Sequence, residues 1–184
     1  MSSAAATPSP GLVFDTMIIS AFAEADQLDV LGDLLAGDRC YTTDIVRDEL
    51  RRGGPTRPFL AAVDDAEWLG SAHLATDDEL TALLAWTQLV GAADHGLGEA
   101  SVFAFAEVHK AIAMTDDRAA TRVARKRGLT VHGTLWLVAG LHADGKLTEH
   151  AASGLIESLR AVGLHLPCTG SRFPAWARAH GLLP

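Results

Sequence analysis

The hydrophobic pattern is most regular between residues 98 and 134, where apolar helical stripes alternate with short apolar runs. In the first stripe the apolar residues fall at positions 102, 103, 105 and 106, and the run that follows carries no charge. Gly128 follows the second stripe, as glycine often follows the last turn of a helix. The pattern predicts a helix over 98–110, a strand over 111–114, a helix over 119–127 and a strand over 129–131.

Two adjacent carboxylates follow the first of these strands. A strand–helix–strand unit implies parallel strands joined by a right-handed crossover. Open parallel sheets bind ligands beyond the carboxyl ends of their strands, which is where Asp116 and Asp117 fall. Glu99, in the first turn of the preceding helix, could lie beside them. Carboxylates gathered at a strand end, without a basic partner in the sequence, indicate a site for a hard divalent cation.

The same order of strand and acid opens the chain. Residues 12–14 predict a short buried strand that ends at Asp15, and residues 16–24 predict a helix. Asp15 or Thr16 could simply cap that helix. The recurrence of the arrangement at Asp116 favours a functional role for Asp15 as well.

A further acid comes from the next part of the chain, which predicts a helix over 27–35, a strand over 39–42 and a helix over 44–52. Asp48 and Glu49 are consecutive, so on a helix they point about 100° apart. Glu49 shares a face with Ile45 and Val46, which predicts that Glu49 is on the buried side and Asp48 faces water. A carboxylate on a buried face needs a partner, and a metal ion would be one.

The remaining segments predict scaffold. Residues 76–79 read as a capping box, which assigns their acids to a helix start. Helices are predicted over 135–142 and 148–162, and a short one from Pro174 to near Gly181. Asp94 and His95 lie in a predicted loop that leaves their role open. We expect a single domain over 11–184 with a C-terminal helical extension, after a flexible leader over 1–10.

Composition narrows the class of protein. The chain has 184 residues, 48% of them hydrophobic, which is enough for a full core. No run reaches the ~18 apolar residues of a membrane span, and residues 1–10 lack a signal-peptide pattern. Cys40 and Cys168 are far apart in the sequence. We therefore expect both to be reduced thiols in the core of a cytoplasmic protein. The histidines lack metal-ligand spacing, which argues against zinc, and no dinucleotide-binding, Walker or nucleophile-elbow motif occurs.

The net charge of -8 argues against a general nucleic-acid coat protein. Nine of the fifteen lysines and arginines nevertheless lie in two windows, residues 47–57 and 118–127, each beside candidate carboxylates. Arg118, Arg122 and Arg125 recur at helical spacing and could bind a phosphate backbone. An ordinary solvated helix face explains them equally well.

These acids stand in an order that resembles the PIN domain, and within it the VapC-like toxins. The resemblance rests on Asp15-Thr16 after the first strand, Glu49-Leu50 in a helix, Gly98-Glu99-Ala100, and the segment that begins at Thr115-Asp116-Asp117. That last segment, which continues as RAATRVARKRGL and ends in a Gly-Thr pair, is the most specific. The similarity runs from about Val13 to Lys146.

The resemblance implies an α/β/α sandwich around a short parallel sheet and RNA cleavage that depends on Mg²⁺ or Mn²⁺. By position, Asp15, Glu49, Glu99 and Asp117 would be the catalytic and metal-binding acids. Thr16 and Thr115 would add hydroxyl contacts. It also implies a small antitoxin partner and a homodimer.

The sequence leaves one choice between two aspartates and two other classes of protein to consider. The T-x-D pattern of the family aligns Asp117 with the metal ligand and leaves Asp116 as the helix cap, although the reverse is compatible with this branch. A PIN-like module that only binds RNA or protein would be expected to lose some of the acids. A phosphatase of the haloacid dehalogenase type would need a second aspartate at position 17, where the chain has methionine.

Overall fold

The computed structural model describes residues 10–91 and 96–184. Its centre is a parallel sheet of five strands in the order β3-β2-β1-β4-β5. The strands are β1 (Leu12–Phe14), β2 (Cys40–Thr43), β3 (Leu69–Ala72), β4 (Ile112–Met114) and β5 (Val131–His132).

Helices cover both faces of this sheet. Val13 and Phe14 are consecutive, so their side chains point to opposite faces, and neither is exposed. The helices are α1 (Thr16–Glu24), α2 (Leu28–Leu34), α3 (Asp44–Gly53), α4 (Ala62–Asp65), α5 (Asp77–Val90), α6 (Leu97–His109), α7 (Arg118–Lys126), α8 (Thr134–Ala143), α9 (Glu149–Ala161) and α10 (Phe173–Ala179). Short 3₁₀ turns occupy Gly54–Thr56, Pro58–Ala61 and Gly170–Arg172. The fold is an α/β/α sandwich, as predicted.

The strand order places a crevice between β1 and β4. From β1 the sheet grows in one direction through β2 and β3, and in the other through β4 and β5. Where the connections from two neighbouring strands run in opposite directions along the sheet, a crevice opens at the carboxyl ends of those strands. Leu12 pairs with Ile112 and Phe14 with Met114, so the residues that follow β1 and β4 reach this crevice at the same level.

The predicted strands and helices are confirmed, with shifts of one or two residues at their ends. Thr76 and Glu79 form the predicted capping box at the start of α5. The sequence analysis missed β3, an edge strand of sequence Leu-Gly-Ser-Ala with little hydrophobic alternation. Cys40 and Cys168 are buried free thiols.

Two findings concern the ends of the chain and the membrane. Residues 1–9 of the predicted leader lie outside the described residues. Of the helices that the structure describes, none combines the length and the apolar character needed to cross a bilayer.

Candidate active site

Asp15 follows β1 directly and lies at the bottom of the crevice. Its side chain is 4% exposed, and its Oδ1 accepts a hydrogen bond of 2.9 Å from the Ile18 amide, which caps α1. Burial raises the pKa of Asp15 to about 7, against smaller lowering effects of hydrogen bonds from Thr115 and Ile18. The charges of Asp116 and Asp117 raise this pKa further. Asp15 therefore caps α1, and its burial destabilises the ionised form of the carboxyl group.

Glu49 is held by both of its carboxylate oxygens. The Thr16 hydroxyl donates to Oε2 at 2.6 Å, and the Gly98 amide donates to Oε1 at 2.9 Å. Asp48, its neighbour on α3, is exposed and pairs with Arg51 at 3.3 Å. Glu49 thus lies on the inner side of α3 and Asp48 on the outer side, as the helical spacing predicts.

The packing around Gly98 explains why a glycine precedes Glu99 in the sequence. A Cβ atom built at Gly98 would overlap the Glu49 carboxylate, so any other residue would displace that side chain. The hydroxyl of Ser101 donates to the Gly98 carbonyl at 2.5 Å and lies 2.6 Å from the Thr43 hydroxyl. Thr43 in turn caps α3 through the Val46 amide. This buried chain of hydrogen bonds holds α3 and α6 in register.

Glu99 occupies the first turn of α6 and is half-buried. No residue in the described ranges donates a hydrogen bond to its carboxylate. Burial raises the pKa of Glu99 to about 8, and the charges of Asp117, Asp15 and Glu49 raise it further, in that order. The four carboxylates are therefore close enough to repel one another.

Asp117 and Asp116 do not divide their roles as the sequence analysis expected. Asp117 is the N-cap of α7, and its Oδ1 accepts from the amides of Ala119 and Ala120 at 2.6 and 2.8 Å. The prediction that Asp116 is this cap is wrong. Asp116 instead accepts hydrogen bonds from the Thr134 amide at 3.0 Å and the Thr134 hydroxyl at 2.6 Å.

Through its hydrogen bonds with Thr134, Asp116 holds the first residue of α8 in place. Thr134 is fully buried, and burial raises the pKa of Asp116, against lowering by both hydrogen bonds from Thr134. A Cβ atom at Gly133 would overlap the Asp116 carboxylate. Gly133 and Thr134 are thus the partners that the sequence analysis missed, although their Gly-Thr pair was part of the resemblance.

Four acids line one pocket of about 430 Å³, which we call the carboxylate pocket. They are Asp15, Glu49, Glu99 and Asp117, whereas Asp116 lies outside it. The other described lining residues are small or apolar, apart from a single hydroxyl, and none of them is basic: Thr16, Met17, Leu89, Val90, Gly96, Ala119, Ala120 and Val123. Asp94 and His95 fall outside the described residues.

The donor chemistry of the pocket suits a hard divalent cation. All four acids offer carboxylate oxygens, and no cationic side chain in the part of the lining that the structure describes neutralises them. Nevertheless, no three Asp, Glu, His or Cys side chains of residues 10–91 and 96–184 converge into a ready-made ion site. Several oxygens of Asp15, Glu49 and Asp117 are instead engaged in hydrogen bonds with the protein.

A family model described as PIN domain matches residues 11–169. This chain belongs to the PIN domain family. A search of curated proteins found no match. The family has a nuclease-type fold, and the carboxylate pocket of this PIN domain lies at the sheet crevice where a ligand is expected.

The arginines of α7 differ in their relation to the pocket of this PIN domain. Arg118, the first residue of the helix, lines a second cleft beside Asp117. Arg122 is exposed and donates back to the Arg118 carbonyl, and Arg125 donates to the Val131 carbonyl at 2.9 Å. Of the three residues, Arg118 alone lines a cleft that also contains Asp117, whereas Arg122 and Arg125 lie further along the same helix.

Replacement of Gly98 tests the packing of the Glu49 carboxylate. Gly98→Ala should destabilise the protein by about 1–3 kcal/mol, the usual range for an overpacked site. The matched change Gly140→Ala, on an exposed part of α8 with open space around it, should stabilise by about 0.5–1 kcal/mol. Urea denaturation measures both values. In a Glu49→Ala background the cost at Gly98 should disappear, and its persistence would show that the carboxylate is not the obstacle.

The two adjacent aspartates should respond differently to substitution. Asp116→Ala removes both hydrogen bonds from buried Thr134 and should cost about 1–3 kcal/mol of unfolding free energy. Asp117→Asn should change stability by less than about 0.5 kcal/mol, because asparagine caps helices as well as aspartate does. Thermal denaturation compares the two variants. Equal losses would contradict the assignment of Asp117 as a replaceable cap.

The raised pKa values predict that the metal-free protein loses stability as the pH rises. Asp15 and Glu99 have pKa values of about 7 and 8 in the folded protein, against ordinary values of 3.8 and 4.5. Between these limits the folded state binds more protons, so its unfolding free energy falls with increasing pH. Melting temperatures in EDTA should therefore fall by a few degrees between pH 5 and 8.5.

Glu99→Gln should flatten that slope, whereas Glu67→Gln, at an exposed position, should leave it unchanged. Glu79 does not interfere, because its pKa is lowered to about 2 and it stays ionised across this range. A melting temperature that rises with pH in the wild type would contradict the prediction.

Proposed function

We propose that this PIN domain is an endoribonuclease that hydrolyses RNA phosphodiester bonds with Mg²⁺ or Mn²⁺. The observation that carries the proposal is the carboxylate pocket, where four acids meet at the crevice of a parallel sheet without a basic partner among residues 10–91 and 96–184. Bringing like charges together costs free energy unless a cation compensates them. A protein that only binds RNA has no need of such a site.

Asp15, Glu49, Glu99 and Asp117 would hold the cation. When bound, it would lower the pKa of a coordinated water and neutralise charge on the scissile phosphate. The residues of the chain have distinct tasks in this arrangement. Thr16 and Gly98 orient Glu49, and the amides of α7 orient Asp117. Glu99 has no hydrogen bond to any described residue, which leaves both of its oxygens available.

The alternatives have less support. The match to the PIN domain family leaves no basis for a phosphatase of the haloacid dehalogenase type. A non-catalytic PIN-like module could lose acids without penalty, yet this chain has an acid at each of the four positions. That alternative predicts RNA binding without cleavage, which the experiment below detects directly.

The proposal extends to the VapC-like branch and to a cytoplasmic toxin held by a small antitoxin. Its support is the Gly-Glu-Ala motif and the apolar side chains near the acids, where Met17, Leu89 and Leu97 are each more than 40% exposed. A homodimer is the expected assembly. Co-purification from the native host tests the antitoxin, and light scattering of the purified chain tests the dimer.

Purified protein should cleave a panel of single-stranded RNAs in Mn²⁺, and excess EDTA should abolish the cleavage. Glu49→Gln and Asp117→Asn should each lower the rate by about 100-fold or more, since even outer-shell changes at metal sites cost about 10–100-fold. Asp15→Asn should do the same.

The matched control is Asp48→Asn, next to Glu49 in sequence but exposed on the other side of α3. It should cleave like the wild type. Equal cleavage with and without EDTA would refute the metal-dependent mechanism. Mn²⁺-independent binding without any cleavage would favour the non-catalytic module instead.

A further inference from the structure

A second cleft adjoins the carboxylate pocket. Its volume is about 580 Å³, within the range of about 300–1,000 Å³ that is typical for ligand sites. It shares Met17 and Asp117 with the carboxylate pocket, so the two form a continuous surface. The facing wall is the segment 162–166, which follows α9. We call this site the arginine cleft, after Arg57 and Arg118 in its lining.

Both arginines are exposed and have no partner in the described part of the chain. Arg57 lies between the two 3₁₀ turns that follow α3, and Arg118 is the first residue of α7. Neither side chain makes a hydrogen bond or an ion pair with residues 10–91 or 96–184. Most other described arginines are tied down, as Arg51 is to Asp64 at 2.9 Å and Arg127 to Glu107 at 3.2 Å.

The three carboxylates of the cleft form no ion pair with either arginine among the described residues. Both oxygens of Asp116 accept hydrogen bonds from Thr134, and Oδ1 of Asp117 accepts from the α7 amides. Glu24 also lines the cleft, but no ion pair joins it to either arginine. Two guanidinium groups beside a single cleft are therefore available to an anion, and guanidinium matches the geometry of phosphate oxygens.

We propose that the arginine cleft binds the phosphate that neighbours the scissile one in the RNA substrate, through Arg57 and Arg118. This inference rests on the proposed ribonuclease function. The cleft begins at Asp117, so a strand whose scissile phosphate lies over the acids passes into it next. Its wall also carries the exposed imidazole of His165, an aromatic surface on which an unpaired base can stack.

RNA binding, measured by fluorescence anisotropy in Ca²⁺, tests the proposal without requiring cleavage. Arg57→Gln and Arg118→Gln should each weaken the affinity by about tenfold, the loss of one charged hydrogen-bonding group. The double variant should also reduce the slope of log affinity against log salt by about 0.7, the value for one phosphate on a single strand. The matched control is Arg122→Gln, on α7 but outside the cleft, which should bind as the wild type does.

A neutral linkage identifies the phosphate. A methylphosphonate on a single deoxynucleotide is moved along the RNA one position at a time, against the same deoxynucleotide with an ordinary phosphate. At one position it should weaken wild-type binding by about tenfold and leave the double variant unaffected.

The outcomes separate this inference from the proposed function. RNA that binds normally to both single variants would overturn the arginine cleft while leaving cleavage by the acids intact. Position-dependent loss of affinity in a protein that never cleaves would support the cleft and refute the nuclease. A loss at Arg122 equal to that at Arg118 would mean that the whole face of α7 attracts RNA, and would also overturn the proposal. Failure of the wild type to bind any RNA would refute both.

Discussion

The two hydrogen bonds to Glu49 hold the candidate site together. The Thr16 hydroxyl comes from the start of α1, the Gly98 amide from the start of α6, and the carboxylate itself from α3. Three helices that begin at different parts of the sheet therefore meet at one side chain. Asp15 directly precedes Thr16 in the sequence, and Glu99 directly follows Gly98. The same contacts therefore set the positions of both acids. Without them, the acids would be free to separate in response to their mutual repulsion.

The repulsion between these acids costs free energy. Asp15 and Glu99 both have raised pKa values, for which burial is the larger cause and neighbouring carboxylates the smaller. The fold compensates part of this cost with neutral donors, such as the Ile18 amide and the amides at the start of α7. Such donors keep the carboxylates in place without cancelling their charge. The pocket consequently retains its negative potential, which a cation site requires.

Local patterns predicted most of the fold and made the acids candidates, because their causes are local, whereas the choice of Asp117 over Asp116 rested on the family resemblance. The end of β1 before Asp15, the end of β4 before Thr115 and the opposed faces of Asp48 and Glu49 follow from periodicity and spacing alone. The role of Asp116 could not be predicted in this way, because its partner Thr134 lies 18 residues further along the chain. The arginine cleft was missed for the same reason: Arg57, Arg118 and His165 come from three separate segments. The edge strand β3 was missed because its sequence carries little alternation.

The protonation state of the pocket has a consequence for how a cation would be detected. The formal net charge of -8 counts every acid as ionised, yet with pKa values of about 7 and 8 the metal-free pocket retains protons near neutrality. A divalent ion binds the ionised carboxylates, so its uptake must expel those protons into the solvent. The heat observed in a calorimetric titration would then include the ionisation enthalpy of the buffer. Titrations repeated in buffers of different ionisation enthalpy would count the protons released for each ion bound.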